Sequence, residues 1–232
     1  AATLDLPSPS RSIPPGPLWT TPPQALGDPI NGVAFPSVAD VNGDGTRELI
    51  FGCYVHADSN PFEGIDGVRF AMFGDLDNDG GLDAYLARDG ANVVMSRDEA
   101  VWRDTTEERG LAGGEFTTSD GALVDIDHDG DLDVLLANSN GPTQLFANTL
   151  NGAFKDISEE TGFAAAPNAR QLVIADLDQS SDLDVLLLRS NGNNVLFRND
   201  RLWSFTATPA YEGVVRAVAA DLNGDGTTTI FG

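Results

Sequence analysis

The sequence predicts an all-β fold, a β-propeller of four-stranded blades whose hairpins carry acidic loops. Three observations lead there. An aspartate-rich segment recurs five times with matching flanks. The apolar stretches around each copy are too short for helices and are rich in β-branched, aromatic or leucine residues. The copies start 35, 50, 51 and 45 residues apart, and a period near 50 suits one four-stranded blade.

The five segments are Asp40-Val-Asn42-Gly-Asp44-Gly, Asp75-Leu-Asp77-Asn-Asp79-Gly, Asp125-Ile-Asp127-His-Asp129-Gly, Asp176-Leu-Asp178-Gln-Ser180-Ser and Asp221-Leu-Asn223-Gly-Asp225-Gly. Each follows an apolar stretch, at 35–39, 70–74, 122–124, 172–175 and 214–220. Four are followed by another, at 49–51, 84–86, 134–136 and 185–188, so the acidic segment joins two strands of a hairpin. Residues 93–95, 144–146 and 195–197 read as third strands, and 101–102, 153–155 and 202–205 as fourth strands. Asn- and Gly-rich turns such as 138–141 and 191–194 separate them, and no amphipathic helix is visible.

Residues 1–30 differ from the repeat region, 31–232. Eight of the 13 prolines fall there, at 7, 9, 14, 15, 17, 22, 23 and 29. Proline offers no N–H to a ladder, so this segment reads as an extended arm lying on a surface or a partner. Its Leu18-Trp19-Thr20 is similar to the fourth-strand segments around Trp102 and Trp203. The arm is thus a candidate outer strand for the last, incomplete blade, which would close a five-bladed ring. Otherwise the repeats are a fragment of a longer propeller.

Composition narrows the function. There are 36 acidic against 13 basic side chains, a formal charge of −23. Nucleic acid and anionic membrane surfaces both require clustered Lys and Arg, so neither is expected as a partner. No apolar run reaches the roughly 20 residues of a membrane-spanning helix. No charged-then-apolar leader is visible, a pattern that a mature exported chain shares. Cys53 is the sole cysteine, which excludes an internal disulfide.

Aspartates at every second position point to a hard cation. Ca²⁺ takes about six to eight oxygens, and a tight loop brings positions 1, 3 and 5 to one point. Glycine at position 6 permits the sharp turn, position 7 offers its carbonyl, and an acid at position 9 completes the shell. The Asp125 loop scores best, with Asp125, Asp127, Asp129 and Asp133 as side-chain ligands and Asp131 at position 7. The Asp75 loop follows, with Asp75, Asp77, Asp79 and Asp83, and Gly81 at position 7. The Asp40 loop has Asp40, Asn42, Asp44 and Glu48, with Thr46 at position 7, and should bind more weakly because Asn brings no charge. The Asp176 loop keeps Asp176, Asp178 and Asp184, with Asp182 at position 7. It has Ser180 at position 5 and Ser181 in place of glycine, which marks it as degraded. The Asp221 loop has Asp221, Asn223 and Asp225, with Thr227 at position 7, but Thr229 where the last acid is expected. The expectation is about three to five calcium ions, acting as structural staples rather than in catalysis. The loops hold 18 of the 36 acids, so without a cation they should repel themselves.

These residues resemble the FG-GAP/VCBS repeat family, the propeller repeats also found in integrin α chains. Phe51-Gly52 and Phe231-Gly232 sit where that family often has a Phe-Gly pair. Two segments, Trp102-Arg-Asp104-Thr-Thr106-Glu107-Glu108-Arg-Gly110-Leu111 and Phe154-Lys-Asp156-Ile-Ser158-Glu159-Glu160-Thr-Gly162-Phe163, are similar to repeats of bacterial relatives of cartilage acidic protein, which often carry an ASPIC/UnbV domain. The resemblance implies a calcium-binding propeller in an extracellular or periplasmic location, serving adhesion or recognition.

No catalytic constellation stands out. His128 lies between ligand positions and should point to solvent. Cys53 and His56 would face opposite sides of a strand, which makes Cys53 a core thiol. Nucleophile-elbow, phosphate-loop and zinc spacings are not found. Trp19, Trp102 and Trp203 recur at equivalent places, where blade packing is the ordinary role and a sugar-stacking platform the alternative. Two function classes follow: a non-catalytic protein-interaction or assembly module, docking through the arm or the blade loops, and a glycan-binding propeller or accessory part of a polysaccharide-acting enzyme.

Overall fold

The computed structural model describes residues 36–55, 60–98, 101–149 and 152–232. They form antiparallel sheets in which each strand pairs with the next in sequence. The first sheet is β1 (Pro36–Ala39), β2 (Glu48–Phe51) and β3 (Tyr54–Val55). The second is β4 (Val68–Gly74), β5 (Asp83–Arg88), β6 (Val93–Asp98) and β7 (Val101–Asp104). A single helical turn, α1 (Thr106–Arg109), follows it. The third sheet is β8 (Thr118–Val124), β9 (Asp133–Asn138), β10 (Gln144–Asn148) and β11 (Phe154–Asp156). The fourth is β12 (Ala169–Ala175), β13 (Asp184–Arg189), β14 (Val195–Asn199) and β15 (Phe205–Pro209), and β16 (Val218–Ala220) pairs with β17 (Thr229–Phe231).

The first strands β1, β4, β8, β12 and β16 touch one another in that order. A row of first strands with successive antiparallel strands stepping away from it is the arrangement of propeller blades. Polar bonds tie the row together. The Ser119 hydroxyl donates to Ala169 O at 2.8 Å, Leu172 N–H to the Asp120 carboxylate at 2.9 Å, and the Gln171 amide to Ala217 O at 2.7 Å.

Strand alternation explains the core. In β9, Leu135 faces the fourth sheet with Val185, Leu187 and Phe197, while Val134 and Leu136 face the second with Leu76 and Tyr85. In β5, Ala84 and Leu86 pack toward the first sheet and Tyr85 toward the third. In β13, Leu186 and Leu188 pack against Ala217. Second strands are buried on both faces, which is why they read as unbroken apolar runs. Each core therefore lies between two blades, and no blade owns one alone.

The predicted hairpins and third strands are present. The predicted fourth strand at 202–205 is not. Arg201, Leu202 and Trp203 all have positive φ, and the strand starts at Phe205. Three left-handed residues in a row cannot continue a β-ladder. Trp203 therefore precedes its strand, whereas Trp102 lies within β7, so the two are not equivalent. The two Glu-Glu segments, where no helix was expected, form α1 and a short 3₁₀ turn at Phe163–Ala165. Asp104 and Asp156 accept bonds from the residues two positions on, Thr106 and Ser158. Those hydroxyls then accept the third-strand N–H groups of Val94 and Leu145, which ties each segment back onto its blade. Cys53 sits in the β2–β3 turn, part-buried against the first core cluster. The arm, Trp19, His56 and the expected closing strand lie outside the described residues. Among the described residues no helix is long and apolar enough to cross a membrane.

Asparagines clamp successive blades. Asn148 donates its amide to Leu76 O in the preceding blade at 2.9 Å, and Asn199 to Ile126 O at 3.0 Å. Trp102 Nε1 makes the same kind of bond to Val41 O at 2.9 Å. Asn199→Ala should lower stability by about 1–3 kcal/mol, because it strands carbonyls at a blade interface. Exposed Asn193→Ala should change it by less than about 0.5 kcal/mol. Denaturant midpoints of the two variants check this.

Candidate metal centre

Five loops adopt one turn. The position 1 carboxylate accepts the N–H of position 6: Asp40 from Gly45, Asp75 from Gly80, Asp125 from Gly130, Asp176 from Ser181 and Asp221 from Gly226. Position 3 accepts the N–H of position 5, as Asp77 does from Asp79 and Asp127 from Asp129. Position 5 accepts the N–H of position 7: Asp44 from Thr46, Asp79 from Gly81, Asp129 from Asp131, Ser180 from Asp182 and Asp225 from Thr227. The acid at position 9 accepts the N–H of position 2: Glu48 from Val41 at 2.9 Å, Asp83 from Leu76 at 2.8 Å, Asp133 from Ile126 at 3.1 Å and Asp184 from Leu177 at 2.9 Å.

Three loops bring acids together. Asp75, Asp77 and Asp83 lie with ligand oxygens within 4.8 Å of one another, as do Asp125, Asp127 and Asp133, and Asp176, Asp178 and Asp184. The converging positions are 1, 3 and 9. The position 5 acids Asp79 and Asp129 stand outside these groups. The Asp176 loop, marked down for Ser180, loses nothing at the converging positions. Its Ser181 does adopt φ +71, where Gly80 and Gly130 stand at +85 and +99, so the backbone is strained rather than the donor set. In the Asp40 and Asp221 loops, the Asn42 and Asn223 amides donate to Asp44 and Asp225. Asparagine at position 3 removes one converging carboxylate and turns its neighbour into an internal acceptor.

All these donors are carboxylate oxygens, which suit a hard cation; no thiol or imidazole belongs to any group. The electrostatics point the same way. Burial pushes the Asp133 carboxyl up to about 7, helped by Asp127 and Asp129 and opposed by the N–H groups of Asn148 and Ile126. Burial raises Asp83 and Asp184 as well. A cation among these carboxylates would remove the repulsion. The donor chemistry and convergence fit a metal ion at all three loops.

Position 2 escaped the sequence reading. Val41, Leu76 and Ile126 are buried and anchor their loops in the inter-blade cores. The signal was present, since Val, Leu or Ile fills position 2 in every copy. Contacts between loops were not legible. The Asn78 amide, at position 4, bonds the Asp131 carboxylate at position 7 of the next loop. His128, again at position 4, comes within 3.7 Å of Asp182 at position 7 of the following one. His128 is half-exposed and leans on its neighbour rather than pointing freely to solvent.

The family profile described as an FG-GAP-like repeat matches residues 125–187, which run from the first ligand of the Asp125 loop through the hairpin of the Asp176 loop. That stretch, about a quarter of the chain, is similar to an FG-GAP repeat. No curated protein matches the chain.

The raised carboxyls give a pH dependence. An unfolded aspartate titrates near about 3.9, and a folded carboxyl raised above that favours its protonated form. Its contribution is complete below about pH 4 and is lost as pH rises through about 7. Asp44, Asp221 and Asp225 are lowered by hydrogen bonds, so they act below that window. Metal-free protein should therefore lose stability between about pH 4 and 7, and Asp133→Asn should flatten the slope. Thermal melts in chelator across this range measure it.

Proposed function

We propose that the chain is a non-catalytic, calcium-stabilised propeller acting as a protein-interaction or assembly module outside the cytoplasm. The observation that carries this reading is the convergence of three carboxylates in each of three successive loops, all at blade junctions. Calcium is the cation the chemistry favours, because it accepts many carboxylate and carbonyl oxygens in an irregular shell. The FG-GAP match supports it, and a compartment outside the cytoplasm, where free calcium is plentiful, would suit such a site. In this reading the converging acids serve as cation ligands and as acceptors of backbone N–H groups. The partner in this reading is another protein, bound by the blade loops or the proline-rich arm.

Calcium in excess should raise the melting temperature. At about 100 times the dissociation constant, one saturated loop adds about 2.7 kcal/mol, or roughly 5–10 °C for a domain of this size. Melts with calcium, with magnesium and with EGTA test this. Equal melting temperatures in calcium and EGTA would refute the reading.

One observation keeps glycan binding as a second reading. Trp203 is part-buried and lines a concave surface with Asp127, Asp129, Asn148, Lys155 and Glu160. Trp102 does not share this setting, because its ring packs edge-on against Phe62, 5.3 Å between centroids. If sugars bind, Trp203→Ala should abolish a glycan-array signal that Trp102→Phe leaves intact. A stoichiometric protein complex with no glycan signal favours the first reading.

A further inference from the structure

The Asp75 loop differs from its neighbours by one buried side chain. Arg109, from α1, is 5% exposed. Its Nη2 lies 2.6 Å from Asp77 Oδ2 and 3.4 Å from Asp83 Oδ1, two of the three converging ligands. The same nitrogen donates to Ser96 Oγ at 2.8 Å, Nε to Ser96 and Thr105 at 3.2 Å each, and Nη1 to Gly152 O at 3.2 Å. Nothing about this guanidinium is loose, since every nitrogen is bonded. Gly152 reinforces the fit, because a Cβ there would lie 2.5 Å from Asp77 Cβ and 2.6 Å from Arg109 Nη1.

The next blade lacks this device. Thr161 stands at the equivalent place in its Glu-Glu segment, and its hydroxyl donates to Ile157 O at 2.7 Å. Lys155 pairs with Glu160. In the Asp176 loop, Arg198 comes no nearer than 3.8 Å to Asp178, and both side chains are substantially exposed.

We propose that Arg109 is a built-in cation of the Asp75 loop, which neutralises part of that loop's charge and makes it a weaker metal site than the Asp125 loop. The inference rests on the reading that these loops bind hard cations. A fixed positive charge in contact with two ligands repels an incoming metal ion, and water screens it little because it is buried. It also supplies, without metal, some of the compensation that the Asp125 loop must draw from an ion. The two loops that score highest in sequence are therefore unequal: the Asp125 loop should fill first, and the Asp75 loop should need on the order of tenfold more ion.

Crystals equilibrated with graded terbium concentrations test this by anomalous scattering at each loop. Filling of the Asp125 loop before the Asp75 loop in the unaltered protein is the expected result. Filling of the Asp75 loop first, or at the same concentration, overturns the proposal while leaving the cation reading intact. Filling of no loop overturns both. Arg109→Met should bring the two filling concentrations together and widen the gap between melting temperatures in calcium and EGTA. Arg109→Lys, which keeps the charge, should preserve the order. Should Arg109→Met fail to fold, the filling order of the unaltered protein still decides.

Discussion

Each complete blade begins its second strand with a buried carboxylate. Asp83, Asp133 and Asp184 are the first residues of β5, β9 and β13, strands buried on both faces. A charge there must be bonded or neutralised. The hairpin supplies one bond through the N–H of position 2. In two blades the third strand supplies another, from Asn148 N–H to Asp133 and from Asn199 N–H to Asp184, both at 2.9 Å. The side chains of these same asparagines reach the preceding blade. Loop charge, hairpin closure and blade stacking are thus one bonded system, and a change at the carboxylates is felt across the blade junction.

The system is best developed in the middle of the described repeats. Leu76 and Ile126, at position 2, are fully buried, while Leu222 at the same position of the last loop is 73% exposed. That loop belongs to the two-stranded β16–β17 sheet, and it does not bring three acids together. The correlation has a physical basis. A loop whose apolar position enters a core is held in the turn that makes its carboxylates converge. A loop without that anchor, such as the Asp221 loop, keeps the turn through bonds between its own side chains and backbone N–H groups. The Asp40 loop shows that burial is not sufficient, since Val41 is buried yet this loop, with asparagine at position 3, does not bring three acids together.

Much of this was legible because it is local. The five loops, their flanking strands and the near-50 period depend on spacing within one repeat, and spacing is what a sequence displays. The misreadings share the opposite property. The bond from the position 7 N–H to the acid at position 5 depends on the turn, which the sequence does not display. Trp203 was placed in a strand because left-handed φ at Arg201, Leu202 and Trp203 has no glycine or asparagine to announce it. Arg109 meets Asp77 across 32 residues, Asn148 meets Leu76 across 72 and Asn199 meets Ile126 across 73, distances set by blade packing.

The loops are consequently not interchangeable copies of one site. They differ in what meets their carboxylates: a buried guanidinium at Asp77 and Asp83, exposed arginines near Asp178 and Asp182, and side chains of neighbouring loops at Asp131 and Asp182. Asp131 illustrates the consequence. One carboxylate oxygen takes the Asn78 amide, while the other is buried with no hydrogen-bond partner. Its charge lies within the Asp125 loop but is held by a residue of the Asp75 loop. Charges in contact interact well inside a screening length of about 8 Å, so neutralising one loop alters the potential at the next. Repetition supplied the same nine positions five times, and the contacts between copies, rather than the copies themselves, set the surroundings of each loop's carboxylates.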